Sequence, residues 1–267
     1  SGRPGTIPPM KLGLQLSNFT WKGRGPKLGE NLAAISRTAE DVGYSSIWVM
    51  DHLFQIPQVG AAQMEMLEAY TALGFIAAHT KSASLGTMVT GVTYRNPGLL
   101  CKQVSTLDVL SGGRAMLGIG AAWYEREHHG LGIPFPPLKE RFERLEETLQ
   151  ICKQMWSREV GRFEGKHYQL KETLNSPQSL QKPHPPILIG GRGEKKTLKL
   201  AAKYANAYNI HSDSPEVVAH KFAVLRQHCE AIGRDPDEIE RTVLMAMDVG
   251  ENGEKSGELV EQLRRMA

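Results

Sequence analysis

Short apolar runs alternate along the chain with segments whose apolar positions recur every three to four residues, and the alternation repeats seven times. KLGLQLS, Lys11 to Ser17, reads as a first strand. GENLAAISRTAEDVG follows as a helix with Leu32, Ile35, Ala39 and Val42 on one face and Gly43 at its end. SIWVM is the second strand, MEMLEAYTALGFIAAHT the second helix and ASLGTMVTG the third strand. NPGLLCKQVSTLDVLSGGR is a third helix, opened by Pro97 and closed by Gly112 and Gly113. AMLGIG is the fourth strand, and a long loop leads from it to the fourth helix, PLKERFERLEETLQICKQMW. PILIGG, AYNI and RTVLMAMDV give strands five to seven. EKKTLKLAAKYA, SPEVVAHKFAVLRQHCEAIG and EKSGELVEQLRRMA are the helices that follow them.

Strands this short and this apolar, each followed by a helix, predict a parallel sheet with right-handed crossovers. An open doubly wound sheet and a closed (β/α)8 barrel both satisfy the pattern. The repeat count and the length of 267 residues favour the barrel. Closure needs an eighth strand, which is expected beyond Ala267, because an open barrel leaves strands one and seven with unpaired edges. The predicted organisation is a loose N-terminal arm over 1–9 and one barrel domain over 10–267. The polar, Pro- and Gly-rich stretch at about 157–186 reads as an insertion with short strands of its own.

Composition changes this picture little. Hydrophobic residues make up 40% of the chain and charged ones 23%, which suits one large core. No apolar run is long enough to span a membrane, and SGRPGTIPPM lacks the order of a secretory signal. A cytoplasmic protein in a reducing compartment is the expectation. Cys101, Cys152 and Cys229 lie far apart on helical segments and read as small core residues rather than disulfides or metal ligands. A net charge of +3, evenly spread, gives no argument for nucleic acid.

Candidate chemistry gathers where a barrel keeps it, at the carboxyl ends of the strands. SSIWVMDHLF sets Asp51 and His52 directly after the second strand. They either end the strand in water or face the barrel mouth, and the barrel reading favours the mouth. The glycines of IGGRGEKK precede a helix, so their N–H groups can converge on an anion. A plain glycine-rich turn explains the same residues. Lys195 and Lys196 are expected in that helix's first turn, where cations oppose the macrodipole. LGTMVTG permits a bulge that re-aims a strand end. His128 and His129 are adjacent and point apart, so no metal site is expected there.

Taken together, WVMDHLF, LGTMVTGVTYRNP, LSGGRAMLGIGAAWYEREHHGLGIPFPPLKERFERLEE and PPILIGGRGEKKTLKLAAKYA resemble, in order and spacing, the luciferase-like superfamily and its coenzyme F420-dependent oxidoreductase branch. The resemblance covers about residues 10 to 247 and is specific as a set. It implies a (β/α)8 barrel holding a deazaflavin or flavin ring over the strand ends, with His52 at its reactive face and Asp51 beside it as catalytic residues. A cis peptide bond near Met88, Val89 and Thr90 would back the ring. Gly118, Gly120, Ala121, Ala122 and Trp123 would line the cofactor, and Gly190, Gly191, Arg192 and Gly193 would hold its phosphate. Some relatives carry an acid near the position of Trp123. Here Glu125 and Glu127 are the nearest carboxylates, and Glu127 is expected on a solvated loop.

The implied activity is hydride transfer between F420 and a small organic substrate, with His52 as proton donor or acceptor. An FMN-dependent monooxygenase is the alternative, and a deazaflavin- or flavin-binding protein without turnover is a third reading. The expected partners are the substrate and a second copy of the chain in a homodimer, with no nucleic acid, membrane or metal.

Overall fold

A computed structural model of the chain describes residues 10–211 and 214–266, so the arm expected at 1–9 lies outside the described residues. The chain runs β1 (Gly13–Leu16), α1 (Arg24–Asp41), β2 (Ser46–Val49), α2 (Ala69–His79), β3 (Ser84–Thr87), β4 (Thr90–Gly91), α3 (Pro97–Leu110) and β5 (Ala115–Gly120). It continues with α4 (Glu125–Leu131), α5 (Leu138–Trp156), β6 (Phe163–Glu164), β7 (Gln169–Leu170), β8 (Ile187–Gly190), α6 (Thr197–Tyr204), β9 (Ala207–His211), α7 (Pro215–Ala231), β10 (Glu240–Leu244) and α8 (Ser256–Met266).

The sheet runs in the order β1-β2-β3-β5-β8-β9-β10, and every neighbouring pair along it is parallel. It curls into the wall of a half-barrel. Among the described residues β1 and β10 remain its two ends, with no eighth strand between them. Side chains alternate along each strand, so one set meets the helices and the other fills the barrel. Ile47, Val49, Leu85, Leu117, Ile119, Ile187 and Ile189 pack outward, all at 0% exposure. Each contributes roughly 1.5–3 kcal/mol by burial. Trp48, Leu188 and Ala207 turn inward with Met88, Val89 and Met116. Trp48 lies across its neighbours: a Cβ on Gly13 would sit 3.0 Å from its Nε1, and one on Gly86 2.7 Å from its ring.

Several elements differ from the sequence expectation, each for a local reason. The third strand is split into β3 and β4 at a cis peptide bond between Met88 and Val89. The second helix begins only at Ala69, because the Glu68 side chain accepts from Thr71 N–H and caps it there, while Met66 and Leu67 pack against the core ahead of it. The loop after β5 contains α4. Residues 194–196 form a turn, so Lys195 and Lys196 precede α6 instead of opening it. Glu194 is drawn away to Lys221 at 2.6 Å and His220 at 3.0 Å, which holds that turn outside the helix. In the insertion, β6 and β7 form a hairpin clipped to α5 through Glu147, which accepts from the N–H groups of Lys166, His167 and Tyr168.

Glu40, at the end of α1, ties down the chain entering β3. Its carboxylate accepts from the N–H groups of Lys81, Ser82 and Ala83 and from the Ser82 hydroxyl. Partial burial pushes its pKa up, but these bonds outweigh burial and hold it down at about 2, against an ordinary 4.5. A lowered folded-state pKa stabilises above the unfolded value, and that stability disappears as pH falls from about 4.5 through about 2. After discounting for solvent screening, Glu40→Gln should cost about 1 kcal/mol at pH 7. In urea melts the deficit should shrink below pH 4.5. An equal deficit at pH 7 and in strong acid would show that Glu40 acts through shape alone.

Candidate active site

β2 delivers Asp51 and His52 to the rim, and their side chains go to different places. Asp51 is buried and takes a two-pronged contact from Arg95, at 2.5 and 2.9 Å. Arg95 also reaches Glu68 and lies over the Tyr70 ring, 4.8 Å from its centroid. Burial pushes the Asp51 carboxyl up against the pull of Arg95. Burial also pulls Arg95 down, but its carboxylate partners outweigh this and hold the guanidinium above its ordinary value. Arg95 comes from the loop before α3, so this pair fixes two rim loops to each other.

The carboxylate on His52 is Glu127, not Asp51. Glu127 Oε1 lies 2.7 Å from His52 Nδ1. The same oxygen accepts from the Tyr94 hydroxyl, while Oε2 accepts from the N–H groups of Leu53 at 2.6 Å and Phe54 at 3.1 Å. Far from lying on a solvated loop, Glu127 is on α4 and completely buried. Its helix can come this close because residue 130 is glycine: a Cβ there would lie 2.7 Å from the Phe54 ring. Burial pushes the Glu127 carboxyl up, and the bonds from His52, Tyr94 and Leu53 outweigh it and hold the group below its ordinary value. His52 Nε2 has no hydrogen-bond partner among the described residues. The rings of Trp123 and Tyr124 meet the imidazole edge-on at 5.4 and 5.7 Å. Trp123 itself is 51% exposed, an aromatic face open to the mouth.

His128 is buried and engaged at both nitrogens, with the Tyr124 carbonyl at 2.7 Å and the Thr93 hydroxyl at 2.6 Å. His129 is exposed beside Glu125, 3.6 Å away. Among the described residues, no group of three or more His, Cys, Asp or Glu could hold a metal ion.

Beneath the rim, Gln15 Nε2 donates to the Met88 carbonyl at 3.0 Å and fixes the cis Met88–Val89 peptide. Thr90 is buried in a hydroxyl chain with Thr87 and Tyr70. Gly118 is also buried, and its lack of a side chain is a packing requirement, since a Cβ would lie 1.8 Å from the Thr87 carbonyl oxygen. Val89 then fills the space over Gly120 and Gly190, at 3.0 and 2.9 Å from where their Cβ atoms would be. Arg141 of α5 donates to the carbonyls of Ala121 and Ala122, at 3.2 and 2.5 Å, and so shapes the loop leading to Trp123.

After β8, Gly191 has φ +133 and donates its N–H to Asn209 O at 3.2 Å. That N–H is therefore spent on the sheet. The N–H groups of Gly193, Glu194, Lys195 and Lys196 find no partner among the described residues and lie ahead of α6, with Lys195, Lys196 and Lys199 exposed nearby. Arg192 acts with burial to lower the pKa of His211 at the end of β9.

The sequence description of luciferase-like monooxygenases matches residues 10–266. The chain belongs to the luciferase-like monooxygenase family. Within this family, an F420-dependent glucose-6-phosphate dehydrogenase of Kineococcus radiotolerans is 32% identical over 228 residues, covering 83% of this chain and 64% of its own length. An FMNH2-dependent dimethylsulfone monooxygenase of Pseudomonas putida is 28% identical over 162 residues, covering 56% of this chain and 44% of its own. The chain thus spans less than two thirds of the length of these relatives. The coenzyme F420-dependent tetrahydromethanopterin reductase of Methanopyrus kandleri shares the fold, with a TM-score of 0.73, 22% identity, and coverage of 91% of this chain and 68% of its own. Among the described residues no helix is long and apolar enough to cross a membrane.

Glu127, Tyr94, Arg95, Gln15 and Arg141 are site residues the sequence reading did not assign. WYEREHHG places Glu127 within four residues of Trp123, which was the available signal. The others come from loops and helices whose convergence only folding produces.

Proposed function

We propose that this chain is the barrel of a coenzyme F420-dependent oxidoreductase, moving a hydride between the deazaflavin and a small organic substrate while His52 takes or gives the accompanying proton. The observation that carries the reading is the buried Glu127 carboxylate on His52 Nδ1, with Nε2 left without a partner at the rim. The F420-dependent relatives support the choice of cofactor. The residues present fit such a group: unpartnered N–H groups at 193–196 suit a phosphate, and the Met88–Val89 peptide, with Val89 packed over Gly120 and Gly190, offers a floor. Arg192 and the N–H groups from Gly193 onward, with Ala121, Ala122 and Trp123, would hold it, while Gly190 and Gly191 shape the turn beneath. A bound deazaflavin supplies a carbon that accepts or gives two electrons as hydride.

The protein's part is the proton. Glu127 accepts the Nδ1 hydrogen, which leaves the Nε2 lone pair to take a proton from a substrate hydroxyl as its carbon loses hydride. The imidazolium so formed lies against an anion already held by four donors, so no group has to move to stabilise it. In the reverse direction Nε2 donates. Trp123 and Tyr124 flank the imidazole and limit the access of water to it. The Asp51–Arg95 pair anchors the backbone from which His52 projects.

The test supplies purified protein with F420 and a panel of small alcohols, and follows the deazaflavin absorbance. F420 reduction by at least one alcohol is expected. Turnover only with reduced FMN and oxygen would favour the monooxygenase reading, which the dimethylsulfone monooxygenase relative also supports. The anion loop has its own prediction. Gly193→Asp sets a carboxylate among the free N–H groups and should weaken F420 binding about 10-fold or more, with little change in melting temperature. A lower melting temperature with unchanged affinity would mean that the glycines serve the turn only.

A further inference from the structure

We propose that Tyr94 is a positioning residue: by donating its hydroxyl to Glu127 Oε1 it fixes the hydrogen of His52 on Nδ1 and keeps Nε2 open. The use of Nε2 rests on the proposed function, whereas the placement of the hydrogen does not.

A carboxylate has about four acceptor sites, and Glu127 has four contacts. Oε2 takes two backbone N–H groups, from Leu53 and Phe54, which cannot turn away. Oε1 takes the Tyr94 hydroxyl and faces His52 Nδ1 at 2.7 Å. A carboxyl–imidazole pair has two neutral-ring arrangements. In one, a carboxylate accepts from Nδ1–H and Nε2 is bare. In the other, a protonated carboxyl donates to bare Nδ1 and the ring hydrogen sits on Nε2. The second arrangement places a hydrogen on Oε1, where the Tyr94 hydroxyl already donates. That hydroxyl has no other acceptor among the described residues. In the first arrangement that bond goes to an ionised acceptor, which makes it one of the stronger kind, whereas in the second it reaches a neutral carboxyl oxygen and is weaker, so the hydroxyl favours the first.

Tyr94 is held where this bond requires it. Its ring stacks on His128, with centroids 4.7 Å apart and planes at 24°. On another side the ring lies over Gly91, where a Cβ would be 2.6 Å from it, so only glycine leaves it room. His128 cannot swing away, since its Nδ1 donates to the Tyr124 carbonyl and its Nε2 accepts from the Thr93 hydroxyl. Burial lowers the His128 pKa and so favours this neutral form. Burial and Glu127 also raise the Tyr94 pKa, which keeps the phenol a donor. Asp51 and Arg95, the other charges that act on Tyr94, are paired with each other.

The test is 15N NMR of the histidine ring nitrogens in cofactor-free protein. In the wild type, His52 should carry its hydrogen on Nδ1. Tyr94→Phe removes only the hydroxyl and should move the ratio of ring forms by about 10- to 100-fold toward Nε2–H, the scale of one lost bond to a charged acceptor. An unchanged ratio in Tyr94→Phe, or an Nε2–H ring in the wild type, would overturn the proposal. Should Tyr94→Phe fail to fold, the wild type decides alone. A slowly exchanging Tyr94 hydroxyl proton beside Nδ1–H supports the role, and a rapidly exchanging one contradicts it. No cofactor or substrate is present, so a failure to bind F420 leaves this result standing, and the converse also holds.

Discussion

His52→Ala is expected to slow F420-dependent turnover by about 100-fold to 10,000-fold, the usual scale for removing a general acid or base. Cofactor affinity should change far less. The reason is positional: His52 stands just past β2, its Nδ1 is engaged by a buried anion, and its Nε2 is the one imidazole nitrogen left to exchange a proton. Glu127→Gln should also slow turnover, because the amide offers no negative charge to the imidazolium and its NH2 group must face either the Leu53 and Phe54 N–H groups or the Nδ1–H and Tyr94 hydroxyl. Wild-type turnover in His52→Ala, measured with any accepted substrate, would remove the histidine from the chemistry.

Arg95→Met should destabilise the fold by about 3–5 kcal/mol, the cost of leaving a buried carboxylate without its partner. Asp51 is 2% exposed, and Arg95 makes its two-pronged contact and the largest pull that opposes burial. The double variant Asp51→Asn, Arg95→Met should recover part of the loss, because the uncompensated charge is gone. Lysine at 95 should restore little, since an ammonium cannot make the paired contact. Urea unfolding of the four proteins measures this directly. A loss below about 1 kcal/mol in Arg95→Met would mean that water reaches Asp51 and that the pair is an ordinary surface contact.

The strands were readable because they are short apolar runs buried on both faces. In Ser46–Val49, Ile47 and Val49 meet the helices while Trp48 fills the barrel, so no exposed face interrupts the run. Helix positions followed from the same logic, although capping moved their ends, as at Glu68. The site was legible to the extent that it lies at strand ends, which led to Asp51, His52 and the glycines after β8. What stayed hidden depends on partners far apart in sequence. His52 and Glu127 are separated by 75 positions, and Asp51 and Arg95 by 44. The sequence argument set only Asp51 beside His52, and Asp51 belongs to Arg95. Glu127 reads as a loop residue because EREHHGL is a helix of only seven residues, too short for its pattern to be distinctive. Gly118 and Gly120 raise a related ambiguity. Glycine at a rim suggests room for a ligand, yet at 118 the Thr87 carbonyl occupies that room, and at 120 Val89 does.

The most direct test of the account is a fluorescence titration of the purified protein with F420 and, separately, with FMN. The free N–H groups at 193–196, with Lys195, Lys196 and Lys199 beside them, offer an anionic tail more than one phosphate can use. F420 should therefore bind more tightly than FMN, and its affinity should fall with added salt, since exposed charges are screened over about 10 Å at 0.1 M. FMN binding as tightly as F420, or more tightly, would contradict the assignment of this barrel to deazaflavin chemistry.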